Sequence, residues 1–457
     1  MERRFAERKE ALLAECEVLP QVFAGVAQRL SEFVEPFAEL LRQAAQREHA
    51  TDYVSGLLSD LERKNVESIA YRCDQDRRDL QHFIGCATWD HRPLMTELAR
   101  QVGQELGEDD GVIVFDPSAF PKKGGKSVGV QRQWCGRLGK VDNCQVAVYM
   151  AYVSRIDHAL VNARLYLPEE WAKNRARRKA AGVPKDVRFQ TRHAQALEML
   201  AECGAALPHA WIAGDDEMGK SGRFRRDLHA LGERYLLAVP CDTLIRDLDA
   251  PAPEYRGRGA VPKRPFERID RWRDALGAAV WARINVRDGD KGPLEVEVAT
   301  CRVRTKSDRR IMKYDETLVV VRSRGDDGAT KYDFYLSNAP RGTTVKEFSR
   351  VALAAHRIEE AIKRGKSEAG LAHYEVRHWL GWHHHQTLSL IAAWFLVREA
   401  LRGKKMDAGD DRAADPRWHR HALARALSMR HAHANRRQRH TPIAPQRTGQ
   451  VLSLQST

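Results

Sequence analysis

Two short apolar runs, each ending on an aspartate, limit the folds that are open to this chain. GVIVFD covers residues 111–116, and WIAGD covers residues 211–215. Short apolar runs bounded by polar loops are typical of strands buried inside a sheet. Two β-rich runs, at 143–155 and 235–240, and a polar helical pattern at about 186–204 accompany them. This mixture predicts an α/β fold in which helices cover a sheet.

In residues 1–105 the apolar residues recur with a different period. Apolar residues such as Phe33, Phe37 and Leu41 recur three or four positions apart, which is typical of amphipathic helices. We therefore predict an all-helical N-terminal domain over 1–105 and an α/β domain over 106–400. At about 241–340 the pattern becomes alternating and β-rich between Gly and Asp turns, which predicts an antiparallel β insertion into the α/β domain.

The positive charge of the chain is unevenly distributed. The net charge is +14 over 457 residues, yet residues 1–60 carry 7 Lys and Arg against 11 Asp and Glu. Lys122–Lys140 contains six basic residues and no acid, and Lys173–Lys179 contains five basic residues. Residues 411–457 add nine Arg and two Asp. Separate basic runs of this kind predict a polyanionic partner, and a basic tail over 401–457 is expected to be disordered without it.

Several classes of protein are disfavoured by the same sequence. No run approaches the roughly 18 apolar residues that a membrane span needs, and the MERRFAERKE start has no apolar segment of a signal peptide. Eight cysteines are scattered without a C-x-x-C pair, which argues against a disulfide framework and a thiolate zinc site. We predict a cytoplasmic protein with no membrane partner.

Three acids are candidates for chemistry. Asp116 and Asp215 each end a predicted strand, and Glu359 lies on a predicted helix that presents Lys366 two turns later on the same face. Carboxylates at such positions can converge and hold two Mg²⁺ ions, because hard cations prefer oxygen ligands. Taken singly, an Asp after a strand is more often a helix cap or turn residue, and Glu359 alone would be a surface residue.

Four ordered blocks of the chain resemble the bacterial insertion-sequence DDE transposases. The blocks are 115–148, WIAGDDEMGK at 211–220, RYLLAVP at 234–240, and 356–385. The resemblance implies an RNase H-like mixed sheet flanked by helices, with a β insertion before the final glutamate. It also implies that Asp116, Asp215 and Glu359 are the catalytic, metal-binding triad and that Lys366 contacts transposon-end DNA.

The resemblance further implies an activity and partners. A transposase binds the terminal inverted repeats of a mobile element and catalyses Mg²⁺-dependent DNA cleavage and strand transfer, with Mn²⁺ as a substitute ion. The expected partners are double-stranded DNA, at transposon ends and target, and a second copy of the chain in a synaptic homodimer. The expected location is the bacterial nucleoid. Two other functions stay open: a metal-dependent DNA endonuclease without strand transfer, and a non-catalytic DNA-binding regulator.

Some assignments within the resemblance stay open. The family pattern places Tyr and Arg seven and four residues before the glutamate, where this chain has Ala352 and Ala355. His356 and Arg357 are candidate substitutes. Asp216 competes with Asp215, although successive strand side chains point to opposite faces. Glu375 is the second candidate for the role of Glu359.

Basic residues near the acids are candidates for phosphate contacts. Lys122, Lys123 and Lys126 follow Asp116 in a Gly-rich loop. The segment YEVRHWLGWHHH at 374–385 predicts packing by its tryptophans, with its basic side chains, including Arg377, turned toward DNA. A zinc site at its consecutive histidines is the less favoured interpretation, because neighbouring residues on a helix diverge by about 100°.

Overall fold

The structure is a computed structural model, and the first 24 residues lie outside its described part. So do residues 407–457, which make up most of the predicted basic tail and contain nine of its twelve Lys and Arg residues. The structure describes residues 25–255, 257–258, 260–289, 292–307, 310–324 and 328–406.

Helices occupy the chain from residue 26 to residue 106. Their apolar positions recur at helical spacing, so that Leu30, Phe33 and Phe37 are all buried on one face. Side-chain caps fix two of the starts, since Asn65 accepts a hydrogen bond from Ser68 N and Asp76 accepts one from Arg78 N. The helices are α1 (Val26–Ala38), α2 (Ala44–Leu57), α3 (Val66–Cys73), α4 (Arg77–Gly85) and α5 (Arg92–Leu106).

A mixed sheet follows the helices. Its first strands are β1 (Val112–Pro121), β2 (Gln131–Cys135), β3 (Lys140–Val153), β4 (His158–Leu165), β5 (Trp211–Gly214) and β6 (Tyr235–Ala238). The central order is β4-β3-β1-β5-β6, with β3 antiparallel to its neighbours and β5 and β6 parallel to β1. This order is that of the RNase H-like fold, which confirms the predicted class.

Short helices connect the strands of this sheet. Thr191 caps one of them through Ala194 N, and Ser221 caps another through Phe224 N. They are α6 (Glu169–Lys173), α7 (Arg175–Ala180), α8 (Arg192–Cys203), α9 (Asp216–Gly219) and α10 (Gly222–Ala230).

The predicted β insertion is confirmed between β6 and the next long helix. Its last strand pairs antiparallel with β6, so the insertion extends the same sheet rather than forming a separate one. The elements are β7 (Leu244–Asp247), β8 (Glu267–Arg268), α11 (Ile269–Asp274), β9 (Ala282–Gly289), β10 (Gly292–Ser307), β11 (Arg310–Ile311), β12 (Glu316–Arg324) and β13 (Thr330–Ser337).

Two long helices complete the described chain. Helix α12 (Val345–Glu368) packs against β1, β3, β4 and β5, and helix α13 (Trp379–Met406) packs against β4, α2 and α4. Helix α13 joins the N-terminal helices to the sheet through one continuous core, and Arg29 pairs with Glu399 at 2.6 Å. It runs six residues into the predicted tail. Over the described ranges, no helix combines the length and the apolar character needed to cross a bilayer.

Candidate active site

Asp116 and Asp215 lie side by side at one edge of the sheet. Strands β1 and β5 are parallel, and their last register partners are Phe115 and Gly214, the residues immediately before the two acids. Strands of one sheet are about 4.8 Å apart, so the backbones of the two aspartates are neighbours. Four buried residues precede each acid, which explains why both runs are apolar.

The sequence predicts that the first strand ends on Asp116, and this boundary is wrong. Strand β1 continues to Pro121, because residues up to Pro121 pair with β3, whereas the pairing with β5 stops at Phe115. Asp116 is therefore the first residue of β1 whose backbone is not paired with β5. The opening at this point is the start of a cleft.

Helix α12 brings Glu359 to the same cleft. Its buried residues, such as Ile358 and Ile362, hold the helix against the sheet, while Glu359 is exposed. The cleft has a volume of about 990 Å³, and Asp116, Asp215 and Glu359 all line it. The structure thus brings together three acids that are far apart in sequence.

The acids affect one another electrostatically. Burial, and then the negative charges of Asp215 and Glu359, raise the pKa of Asp116 well above its usual value. Burial also raises the pKa of Asp215 to about 7, although its hydrogen bond from Met218 N opposes the shift. The cleft therefore concentrates negative charge where water is partly excluded.

Lys366 supplies a positive charge beside Asp116. Its Nζ donates to Ser118 Oγ at 2.8 Å and lies 4.6 Å from the centre of the Phe120 ring. Burial, and then the charge of Arg137, lower the pKa of Lys366, while Asp116 raises it. Because Lys366 follows Glu359 by seven residues, Glu359 and Lys366 both lie on the side of α12 that faces the cleft.

The donor set of the cleft fits a divalent cation. The three acids offer carboxylate oxygens, the ligands that hard cations prefer. Their mutual repulsion around Asp116 is only partly offset by Lys366, and a bound cation would relieve it. Among the described residues, no three His, Cys, Asp or Glu side chains stand close enough to hold an ion as they are.

Asp216 and Glu217, which follow Asp215, line the same cleft but have other surroundings. Asp216 is the first residue of α9 and is exposed, whereas Asp215 is the half-buried cap of that helix. Glu217 also lines the cleft, but Arg192 Nη1 donates to its Oε2 at 2.6 Å. Asp215 thus lines the cleft as a half-buried helix cap, whereas Asp216 is exposed and Glu217 is paired with Arg192.

The second candidate for Glu359 lies elsewhere. Glu375 is exposed and accepts a hydrogen bond from Asn65 Nδ2 at 3.2 Å. It is not among the residues that line the cleft, whereas Glu359 is. The geometry favours Glu359.

The positions where the chain departs from the family pattern lie on the preceding turns of α12. Ala352 is buried against the core. His356 and Arg357 are not among the residues that line the cleft, and Arg357 Nη1 donates to Glu360 Oε2 at 3.0 Å. The described geometry therefore does not direct either substitute toward the acids.

The basic candidates in the loop after β1 divide into two kinds. Lys122 Nζ donates to the Tyr374 carbonyl at 3.2 Å and lies 3.5 Å from the centre of its ring, and burial lowers the Lys122 pKa to about 8. Lys123 and Lys126 are exposed. Arg377 is also exposed, and its carbonyl accepts a hydrogen bond from Val128 N that fixes the far end of the loop.

The consecutive histidines of α13 are part of the core, so they are not among the basic side chains of this segment that could face DNA. His383, His384 and His385 are at most 3 % exposed. They hydrogen-bond backbone carbonyls, as His383 does with Trp379 O and His385 with Gly370 O. Helix α13 is covered on several sides by the sheet and the N-terminal helices, which leaves no solvent face at this point.

Three cleft residues were not singled out by sequence reasoning. Arg192 and Arg137 line the cleft beside the acids, and so does Trp134 on β2. Trp134 stands in the polar, basic stretch QRQWCGRLGK, and an aromatic residue in such surroundings is a usable sequence signal. Nothing local to Arg192 indicates its pairing with Glu217.

Comparison with known proteins gives matches to a protein family, to a curated relative and to solved structures. The family described as "DDE superfamily endonuclease" matches residues 36–293, a range that contains Asp116 and Asp215. The chain is 31% identical over 132 residues to a protein named "Probable transposase for insertion sequence element IS701" from Microchaete diplosiphon. That alignment covers 29% of this chain and 35% of the relative, about a third of its length.

One of the matching solved structures is the cryo-EM piggyBac transposase synaptic complex with hairpin DNA. It aligns with a TM-score of 0.40 and 10% identity, over 93% of this chain and 81% of that chain.

Proposed function

The chain belongs to the DDE superfamily endonucleases, and from that premise we propose that it is the transposase of a bacterial insertion sequence. It binds the terminal inverted repeats of its element and catalyses DNA strand cleavage followed by strand transfer. The observation that supports this most strongly is the meeting of Asp116, Asp215 and Glu359 in one cleft of a basic protein.

The three acids hold the catalytic metal in this proposal. Proteins of this family generally use divalent metal ions, and the proposed ions are two Mg²⁺, for which Mn²⁺ can substitute. When bound, such ions would make a water or a 3′-hydroxyl a better nucleophile and stabilise charge on the leaving oxygen. Asp116 and Asp215 would hold them from the sheet edge, and Glu359 would hold them from helix α12.

The remaining cleft residues position the DNA strand. Lys366 is held by Ser118 beside Asp116, where an ammonium group contacts a phosphate flanking the scissile one. Lys123 and Lys126 contact phosphates further along the strand from the exposed loop. Arg357 and Arg377 contact the DNA outside the cleft. Lys122 is packed on the Tyr374 ring and acts through that residue.

The rest of the chain provides binding. The helical region 1–105 and the basic tail 401–457 hold transposon-end DNA, and the region 106–400 carries the chemistry. Two copies of the chain bring two ends together, and the protein acts in the cytoplasm at the nucleoid.

A cleavage and joining assay tests the proposal. The substrate is a duplex that carries the DNA flanking the coding sequence, incubated with Mg²⁺ and a supercoiled target plasmid. We expect nicked ends and joined products, both lost in EDTA. Cleavage without joining would indicate a DNA endonuclease. Binding that is equal in Mg²⁺ and EDTA, without any cleavage product, would indicate a regulator.

A further inference from the structure

The hairpin formed by β2 and β3 carries an unusual exposed face. Trp134 and Val141 are direct cross-strand partners, and they are 60% and 51% exposed. Trp134 lines the same cleft as the acids, and so does Arg137 in the turn of the hairpin. A large aromatic side chain left in water at the rim of a cleft indicates a ligand that covers it.

The charges of the hairpin specify the ligand further. Arg132 and Arg137 are exposed, as is Lys140. The acid of the hairpin, Asp142, pairs with Lys140 at 3.2 Å, so the surface keeps a positive excess beside the indole. The ligand must therefore offer a flat apolar face and a negative charge within a few ångströms, and a nucleotide offers both in its base and its phosphate.

We propose that this hairpin binds an unpaired nucleotide next to the strand that is cut. The indole of Trp134 stacks on the base, and the guanidinium of Arg137 contacts its phosphate. The nucleotide is unpaired because a base inside a duplex is already stacked on both faces and has none free for an indole. The inference rests on the proposed function, since it describes the state of the DNA at the same site.

Stacking of this kind has a measurable consequence. Removing an aromatic platform weakens binding of an unpaired base by about one order of magnitude. A fully paired duplex gains nothing from Trp134, so the effect appears as a preference for DNA that contains unpaired bases. The turn also carries Leu138, which is 43% exposed but does not line the cleft. It is a matched control for loss of exposed apolar surface.

The test measures binding of two fluorescein-labelled probes by anisotropy in EDTA, where no cleavage occurs. One probe is a fully paired duplex, and the other is the same duplex with a short unpaired thymine tract at one end. We expect the full-length protein to prefer the second probe by about tenfold. Trp134→Ala removes the preference, Trp134→Phe keeps most of it, and Leu138→Ala leaves it unchanged.

A second measurement distinguishes the loss of base stacking from a structural effect of the Trp134→Ala substitution. A 2-aminopurine in the unpaired tract should lose fluorescence on binding the wild-type protein but not Trp134→Ala, because the indole stacks on it. A preference that survives in Trp134→Ala, or is absent in the wild type, overturns the inference. So does a change in the oligomeric state of Trp134→Ala in light scattering, since the face would then contact a second copy.

The two failures are distinguishable. Acid-dependent cleavage without the binding preference rejects the role of Trp134 alone. The binding preference without cleavage and joining rejects the transposase proposal and leaves the nucleotide site standing.

Discussion

Asp116 on β1 and Asp215 directly after β5 occupy adjacent positions at one edge of the sheet, each one residue past the last register pair, Phe115 and Gly214. The sheet itself therefore fixes the distance between their backbones, and no loop is needed to bring them together. Asp215 is held further by Met218 N, at 3.1 Å from its Oδ1. A rigid sheet edge of this kind is suited to holding two carboxylates in one place before a substrate arrives.

Gly219 sets the position of the turn that follows Asp215. A Cβ built on Gly219 would lie 1.8 Å from the carbonyl oxygen of Ala238 on β6, too close for any side chain. We expect Gly219→Ala to lower the free energy of unfolding by about 1–3 kcal/mol, because helix α9 must move away from β6. Urea unfolding measures the effect. Gly85→Ala is the control, because a Cβ at Gly85 meets nothing within 4 Å.

Arg225 and Glu316 form a buried ion pair between helix α10 and the β insertion. Both side chains are fully buried, Arg225 Nε donates to Glu316 Oε1 at 2.8 Å, and Tyr235 donates to the same oxygen at 2.6 Å. Arg225→Met leaves the carboxylate of Glu316 buried without its cation. We expect a loss of about 3–5 kcal/mol in the free energy of unfolding.

The control for this pair is the double variant Arg225→Met with Glu316→Gln. Because it removes both charges, it should be more stable than the single Arg225→Met variant in urea. A double variant that is less stable than either single variant would show that the pair does not act as a unit.

Because the imidazole of His385 is buried, we expect the folded protein to lose stability in mild acid. Its Nδ1 lies 2.8 Å from the Tyr53 hydroxyl and its Nε2 lies 3.1 Å from Gly370 O. Burial, and then the charge of Lys122, lower the pKa of His385 from 6.5 to about 3. Between these values the unfolded chain binds a proton that the folded chain does not, so stability is complete above pH 6.5 and falls as the pH decreases toward 3.

The expected slope for His385 is about 1.4 kcal/mol per pH unit. Urea unfolding at several pH values from 7.5 to 5 measures it, with His385→Gln expected to have a smaller slope than the wild type. His356→Gln is the matched control, since His356 is exposed on α12. Equal slopes for the wild type and His385→Gln would contradict the prediction.

We expect the basic C-terminal segment to increase the salt dependence of DNA binding. Residues 411–457 contain nine Arg and two Asp, and each phosphate they neutralise adds about 0.9 to the slope of log affinity against log salt. Deletion of 411–457 should therefore reduce that slope for a duplex probe in a salt titration. An unchanged slope, with the thermal melting of the remaining chain preserved, would remove the segment from the DNA interface.

Local sequence patterns predict the parts of the fold that depend on local order. The runs before Asp116 and Asp215 are apolar because β1 and β5 are buried, and helical periodicity places Glu359 and Lys366 on one face of α12. These patterns predict the mixed sheet, the β insertion and the three candidate acids. The boundaries 1–105, 106–400 and 401–457 and the roles of the acids stay predictions.

Long-range pairing explains what the patterns do not predict. Strand β1 continues beyond Asp116 because β3 pairs with it, a fact that no local feature records. The burial of His385 depends on Tyr53, which is 332 residues away in sequence. The partnership of Arg225 with Glu316 likewise joins two elements whose own sequences give no sign of each other.

The central claim is that Asp116, Asp215 and Glu359 act together as a metal-binding catalytic triad. The most direct test compares Asp116→Asn, Asp215→Asn and Glu359→Gln with the wild type in Mg²⁺-dependent cleavage of a duplex containing the element's end. We predict that each variant binds the duplex in EDTA as the wild type does but loses cleavage by at least two orders of magnitude. Near-normal cleavage by any one of the three variants would contradict the claim.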